Sequence, residues 1–436
     1  MRILQLTPGT GNFLCGSCLR DNELVVKLRE RGHDALIAPL YLPFALEDQD
    51  EARGAEPVHM GGINMYLQQK SSVLGRLPRV LRDRLDSPKL LRWAAGRANM
   101  TDAHALGAMT LSMLRGEEGR QRTEVARLAE WAGGLDRPDV LVLSNVMLIG
   151  LARELRAKLG CAVVCTVQGE APFLDALDEH HRGLCWDTLA ERAQELDGFL
   201  PVSHYTAELM AERLRVPLDR MHVVWNGIDV TEIQPDPSLR DPERPAIGFL
   251  ARMCRDKGIH TLVDAFIRVK KVHPNARLVA AGVVLNEDEP LLAELRDRLH
   301  AAGVAHDAEL IGPVSREDKI RLLQRIDVFS VPATYGESFG LYLPEAWAAG
   351  LPVVQPRHGA FPELVDATGS GLLCEPNDPV SLAESLGALL SDPKRRETHG
   401  AAARAAALER FTSERMAEEV ETALERFAGV APLVRG

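Results

Sequence analysis

Two stretches of the 436-residue chain carry residue types that could do chemistry. In Tyr335 Gly336 Glu337 Ser338 Phe339 Gly340 Leu341 Tyr342 Leu343 Pro344 Glu345, two carboxylates are separated by seven residues. Glu337 lies in a loop among glycines, where backbone can approach a ligand closely. Glu345 is expected about one turn into a helix. Pro344 is tolerated there because first-turn N–H groups lack helical partners. The N–H groups of Phe339, Gly340 and Leu341 are then left to face an anion. Ionised carboxylates only accept hydrogen bonds, so they do not bind phosphate. They are placed to accept from hydroxyls, as on a sugar and a ribose. The second stretch is Gly248 Phe249 Leu250 Ala251 Arg252 Met253 Cys254 Arg255 Asp256 Lys257 Gly258. Arg252 and Lys257 follow a predicted strand and precede a helix starting near Ile259. Cations beside a helix N-terminus make an anion site that a diphosphate fits. Taken singly, either stretch also reads as a solvated charged loop.

The elements that must position these residues follow an α/β rhythm. Residues 2–7 read as a buried strand, followed by a loop with Gly9, Gly11 and Gly16. A helix from about Asp21 to Arg31 and a strand from Ala35 to Leu42 come next. This order opens a doubly wound α/β domain. The rhythm continues with a strand at Asp139–Ser144, a helix at about Leu148–Leu159 and strands at Ala162–Val167, Phe199–Ser203 and Met221–Trp225. Pro235, Pro237, Pro242 and Pro245 then crowd a charged stretch that few helices or strands survive. After it the pattern restarts. Strands are expected at Ala246–Leu250, Arg277–Ala281, Glu309–Ile311, Val328–Pro332 and Val353–Val354, with a helix at Ile259–Val272. A helix from about Ser413 to Phe427 closes the chain. The expected fold class is α/β, with two Rossmann-like doubly wound domains. The first covers 1–235, with a helical insertion at about 69–131, and the second covers 246–411. Ligands tend to bind in a cleft between such domains.

Composition narrows the partners. Apolar residues are 46% and charged residues 26%, the profile of a globular protein. The net charge of −11 argues against a nucleic-acid binder. No apolar run reaches the ~18 residues of a membrane helix, and the N-terminus lacks a signal peptide's apolar segment. A cytoplasmic protein is therefore expected. Seven cysteines suggest reduced, buried thiols rather than a disulfide scaffold. Within residues 70–97, eight cations (Lys70, Arg76, Arg79, Arg82, Arg84, Lys89, Arg92, Arg97) face only Asp83 and Asp86. Leucines and Trp93 interleave with them. A solvated helical face, a peripheral contact with the anionic inner face of a membrane, and an anionic acceptor site are the three readings.

Together the two opening stretches resemble glycosyltransferase family 4, the retaining nucleotide-sugar-dependent enzymes of GT-B type. Gly227 Ile228 Asp229 resembles that family's PNG(V/I)D segment, with Trp225 in place of its usual Pro. Glu345 Ala346 Trp347 Ala348 Ala349 Gly350 Leu351 Pro352 Val353 Val354 is similar to EAMAxGxPVV. Gly359 to Glu363 resembles GGxPE, and Gly371 Leu372 Leu373 the later GxL. Six segments occur in the family's order.

The resemblance implies a hexosyltransferase with a nucleoside diphosphate sugar as co-substrate and no cofactor. Arg252 and Lys257 would bind the donor diphosphate, and Glu345 the ribose hydroxyls. Glu337 would touch the donor sugar. Backbone at Phe339, Gly340 and Leu341 would meet the sugar or diphosphate, and Gly16 would close on the diphosphate from the first domain. The terminal helix, 412–436, would cross back to that domain. Two fixed cations can stabilise a leaving diphosphate without a metal. The acceptor would be a glycan, lipid or small-molecule hydroxyl.

One position departs from the family. Many relatives place His after a first-domain strand, in the donor-sugar site; here that position is Gln168, followed by Gly169 and Glu170. An amide can hydrogen-bond a hydroxyl but cannot titrate near neutral pH. Gln168 orienting the sugar, Glu170 taking over part of the role, and a slow enzyme are the three readings. Other classes stay open: a sugar-nucleotide epimerase or a phosphorylase on the same architecture, or a non-catalytic sugar-nucleotide-binding protein. Cys15 Gly16 Ser17 Cys18 lacks the second pair a zinc site needs. His180 and His181 read as surface residues. Gly9 Thr10 Gly11 lacks the third glycine of a dinucleotide fingerprint.

Overall fold

The computed structural model describes residues 1–9, 16–41 and 103–429. The basic stretch 70–97 and Cys15 lie outside the described residues. The chain divides into two compact units, Met1–Trp225 with Met416–Gly436, and Asn226–Arg415.

The first unit runs β1 (Arg2–Thr7), α1 (Gly16–Glu30), β2 (Asp34–Pro39), α2 (Ala103–Leu114), α3 (Arg122–Gly133) and β3 (Val140–Leu143). It continues through α4 (Ala152–Leu159), β4 (Ala162–Val167), α5 (Ala171–Asp175), α6 (Glu179–Ala193), β5 (Gly198–Pro201) and α7 (His204–Leu214). The sheet order is β2-β1-β3-β4-β5, and every pairing is parallel. Strands such as Val140–Leu143 are buried along their whole length, as a sheet covered on both faces requires.

The second unit runs β6 (Ala246–Leu250), α8 (Ile259–Val269), β7 (Arg277–Ala281), α9 (Glu289–Ala301), β8 (Ala308–Ile311), α10 (Arg316–Gln324) and β9 (Val328–Phe329). Then come α11 (Tyr342–Ala348), β10 (Val353–Pro356), α12 (Phe361–Thr368), β11 (Gly371–Cys374), α13 (Pro379–Ser391) and α14 (Pro393–Arg410). Its sheet is again all parallel, in the order β11-β10-β9-β6-β7-β8.

The closing helix α15 (Ser413–Ala428) belongs with the first unit. Met416, Ala417, Val420, Ala423 and Leu424 form one apolar stripe, at the spacing of a helix face. That stripe joins Ile3, Val140, Val142 and Val164, the residues on one face of the first sheet. Their neighbours Leu4, Leu141, Leu143 and Val163 point into a separate core on the other face. Side-chain alternation along each strand creates two faces, and α1 and α15 cover one of them.

Several expectations are corrected. Met221–Trp225 is not a strand. Met221 makes a single bridge to Phe199, and the His222 and Val224 N–H groups donate to Phe199 O and Pro201 O at 2.9 and 3.0 Å, a partial pairing that stops short of a strand. The helix expected at Leu148–Leu159 begins as a 3₁₀ turn, Val146–Leu151, capped by the Asn145 side chain. The strand expected at Val328–Pro332 keeps sheet pairing only over Val328–Phe329. The division between units falls at Trp225, ahead of the proline-rich stretch, which lies inside the second unit. The reason is local pairing: Ile228 N–H donates to Phe411 O at 2.9 Å, and Ser413 N–H donates to Ile228 O at 3.0 Å. A Cβ on Gly227 would sit 2.1 Å from Thr412 O, so that contact requires glycine. His181 is buried rather than on the surface, with Nδ1 2.7 Å from Asp178 Oδ2.

Candidate active site

The second sheet has its topological switch between β6 and β9. From β6 the chain winds outward through β7 and β8; from β9 it winds the other way through β10 and β11. Loops leaving the carboxyl ends of two such strands diverge and leave a crevice, the usual ligand site of open α/β sheets. The loop after β6 carries Arg252 and Lys257, and the loop after β9 carries Tyr335 and Glu337. Residues 80 apart in sequence meet there.

Lys257 Nζ pairs with Glu337 Oε2 and donates to the Tyr335 hydroxyl at 2.6 Å. The Tyr335 and Tyr342 hydroxyls donate to the same Glu337 oxygen at 3.2 and 3.1 Å. The ammonium also lies 5.1 Å from the Tyr335 ring centre and 5.7 Å from that of Tyr342. Glu337 is buried, with 9% of its surface exposed. Its Oε2 is saturated, whereas Oε1 has no donor among the described residues. One oxygen fixes the carboxylate and the other remains an acceptor.

The electrostatics follow from this packing. Burial opposes the charge on Lys257, but the Glu337 carboxylate and Tyr335 outweigh it and hold its pKa above the ordinary lysine value. Burial, reinforced by Glu337, pushes the Tyr335 phenol up to about 12 and Tyr342 well above its usual value. All three groups therefore keep their protons at neutral pH and remain donors.

Two glycines hold the loops together. Gly258 has φ +73, and a Cβ there would lie 1.7 Å from Pro332 O. Gly359 has φ +60, and a Cβ would lie 2.6 Å from both the N and O of Glu337. Ala360 N–H donates to Glu337 O at 2.9 Å. The Gly359–Glu363 motif thus supports the backbone of Glu337.

The remaining second-unit candidates are dispersed around this cluster. Arg252 does not join it: Nε donates to Asp288 Oδ2 at 2.8 Å and Nη2 to Glu287 Oε1 at 2.5 Å. Burial works against its charge, yet these carboxylates raise its pKa. Glu345 lies in α11, where its Oε1 accepts from Lys319 Nζ at 2.7 Å. Phe339 is buried, 6.1 Å from the Phe411 ring. Gly340 has φ +81, and a Cβ there would meet the Tyr342 ring at 2.8 Å. The N–H groups of Phe339, Gly340 and Leu341 donate to no backbone carbonyl among the described residues. Sequence reading missed Tyr335, Tyr342 and Lys319. The two tyrosines bracket Glu337 within the motif itself, which was the available signal.

The first unit has its own switch, between β1 and β3. Gln168, after β4, donates from Nε2 to Ser144 O at 2.8 Å and to Asp21 Oδ1 at 3.4 Å. Both partners accept, so the amide nitrogen must face them and Oε1 is the outward atom. Asp21 is fully buried beside Arg20, at 3.0 Å; burial raises its pKa against the pull of Arg20. Glu170 caps backbone. Its carboxylate accepts from Val146, Gln168 and Gly169 N–H groups at 3.2, 3.0 and 2.8 Å. Those bonds leave Glu170 as a loop-forming group and speak against its sharing the role of Gln168. Gly16 is exposed at the start of α1. Cys18 is buried, its sulfur 3.5 Å from Thr7 Oγ1. Among the described residues no three His, Cys, Asp or Glu side chains are grouped to hold a metal ion. No described helix is long and apolar enough to cross a membrane.

Two parallel, doubly wound sheets are the architecture of the GT-B class of α/β proteins. Residues 104–232 match the model of Glycosyltransferase Family 4, and residues 230–406 that of Glycosyl transferases group 1. The chain belongs to this glycosyltransferase family. It is 29% identical over 231 residues to a glycogen synthase of Mycobacterium tuberculosis, covering 53% of each chain. It is 32% identical over 195 residues to a D-inositol 3-phosphate glycosyltransferase of Corynebacterium kroppenstedtii, covering 42% of this chain and 43% of that one. It is 31% identical over 217 residues to a GDP-mannose-dependent phosphatidylinositol monomannoside mannosyltransferase of M. tuberculosis, covering 47% and 55%. The chain thus spans about half the length of these relatives. Among solved structures, Anabaena HepE in complex with UDP superposes with a TM-score of 0.73 at 18% identity, covering 98% of this chain and 100% of that one. Sucrose-phosphate synthase from Thermosynechococcus elongatus gives 0.71 at 16%, covering 98% and 100%.

Proposed function

We propose that the protein is a retaining glycosyltransferase that moves a hexosyl group from a nucleoside diphosphate sugar to a hydroxyl of a glycan, lipid or small-molecule acceptor, without a metal ion. The observation that carries this reading is the Lys257–Glu337 pair, held by Tyr335 and Tyr342 at the switch point of the second sheet.

Cleavage of the bond between sugar and diphosphate builds negative charge on the leaving group. Lys257 is kept protonated and fixed in place, so it offsets that charge without reorganisation. Arg252 is the second cation, held meanwhile by Glu287 and Asp288. Glu337 Oε1 accepts from a donor-sugar hydroxyl, and Glu345 from the ribose. Within the first unit, Gln168 keeps its amide oxygen available as an acceptor for a hydroxyl. The proton of the acceptor hydroxyl leaves with the diphosphate in the overall balance.

UDP-, GDP-, ADP- and dTDP-sugars incubated with the protein in EDTA test the reading, with free nucleoside diphosphate as readout. UDP and GDP come first, because HepE was solved with UDP and one relative is named for GDP-mannose. Slow release from one donor, abolished by Glu337→Ala, is expected. Absence of both release and binding for all four donors would overturn it. Release that stops in EDTA would overturn metal independence.

A further inference from the structure

A second recess in the Asn226–Arg415 unit, of about 420 Å³, is lined by Arg240, Arg396 and Arg404 together with prolines and small residues. It lies at the opposite strand ends from Lys257 and Glu337: Asp327 and Gly350, in its wall, precede β9 and β10.

The three guanidinium groups are held by neutral acceptors. Arg404 donates to Ile233 O at 2.8 Å, to Ala348 O and to Gln234 Oε1 at 2.7 Å. Arg396 donates to Leu389 O and Leu390 O at 2.8 and 2.7 Å. Arg240 donates to Gln324 O and Ala349 O, both at 3.4 Å. These bonds fix the side chains but cancel no charge. Among the described residues none of the three is in an ion pair. Asp327 also lines the recess, with its Oδ2 bonded to Ala246 N–H at 2.8 Å, and its charge acts on Arg240 and Arg396 without a direct ion pair. Glu397 is exposed at the rim. Burial, and then the charge of Arg396, lower the pKa of Arg240 despite Asp327; burial does the same to Arg404. Arg240 Nη1, Arg396 Nε and Nη2 and Arg404 Nε have no partner among the described residues.

Three guanidinium groups against two carboxylates leave the recess net positive, and a concave surface of net positive charge attracts anions. Guanidinium groups match phosphate oxygens in geometry as well as charge. The recess is larger than a phosphate needs, and its proline and glycine walls suit an attached carbon skeleton. We propose that this recess is a binding site for a small phosphate monoester, separate from the site that would take the donor diphosphate.

Calorimetric titration of the full chain with glycerol 3-phosphate, inorganic phosphate and sulfate tests this. Saturable binding of glycerol 3-phosphate is expected, weakening roughly tenfold in Arg396→Gln, the loss of one charge-assisted contact. Glu397→Gln, an exposed change that leaves the fold alone, is expected to tighten it severalfold. Lys257→Met is expected to leave it unchanged. Absence of saturable binding in the wild-type chain would overturn the proposal. So would binding lost in Lys257→Met but kept in Arg396→Gln, which would place the anion in the candidate active site. Sulfate or inorganic phosphate binding as tightly as glycerol 3-phosphate would overturn the ligand class. Donor turnover is not a readout here, so failure of the transferase reading leaves this test intact.

Discussion

The Tyr342 hydroxyl donates to Glu337 Oε2 at 3.1 Å from a ring that is buried and tilted against Phe329, 6.0 Å away. Tyr342 therefore acts on Glu337 from behind, fixing the oxygen that Lys257 also holds. The ring also leaves no space for a side chain at Gly340, which ties that glycine to the same carboxylate.

Tyr342→Phe removes this bond and keeps the packing. A hydrogen bond to a charged group contributes about 1.5–3 kcal/mol to stability, so Tm should fall, and donor turnover should fall with it because Glu337 loses a bond that fixes it. Steady-state kinetics beside thermal unfolding checks both. Unchanged turnover would show that Lys257 and Tyr335 suffice.

Lys257→Met should abolish turnover and leave Glu337 without its cation, at a cost of about 1–3 kcal/mol in stability. The pH dependence has a defined sign. The folded state holds the Lys257 proton more tightly than the unfolded chain, whose lysines titrate at about 10.4. The stabilisation is complete below that value and is lost as pH rises past it. Urea unfolding at a series of alkaline pH values should show a steeper loss in wild type than in Lys257→Met.

Gly359→Ala forces a Cβ to within 2.6 Å of the Glu337 backbone at a positive φ. Destabilisation of more than about 1 kcal/mol is expected, with turnover falling further than stability, because the strain falls on Glu337. An Ala substitution at exposed Gly183, where no atom lies within 4 Å of a built Cβ, is the matched control.

Gln168→Glu sets an acceptor-only group against Ser144 O and Asp21. It should lower Tm, whereas Gln168→His can still donate to Ser144 O and should leave folding intact. Thermal unfolding of the two variants gives the order. A rise in turnover for Gln168→His would show that the site works better with the family's usual residue.

Much of the architecture was legible because it rests on local patterns. Continuous apolar runs such as Ala246–Leu250 marked parallel strands buried on both faces, and Gly258 marked a helix start. The apolar stripe of α15 showed a helix from Ser413 onward. Glu337, Glu345, Arg252 and Lys257 were visible as residue types at a spacing. Strand ends were less legible. Met221–Trp225 has a strand's composition, but its pairing with β5 stops at one bridge and two N–H donations, since pairing depends on the neighbour and not on the segment itself.

The sequence by itself determined the α/β class, the family and the set of charged residues available to a site. Tertiary structure decided how those residues are used. The reversal of strand order between β6 and β9 brings Lys257 to Glu337, and no local pattern encodes a contact across 80 positions. The same folding assigns Arg252 to Glu287 and Asp288, and turns Glu170 into a backbone cap. It also makes Tyr342, an apolar-looking position in the motif, a donor to the central carboxylate. Side-chain type sets what a group can do; the elements packed around it set which partner it meets.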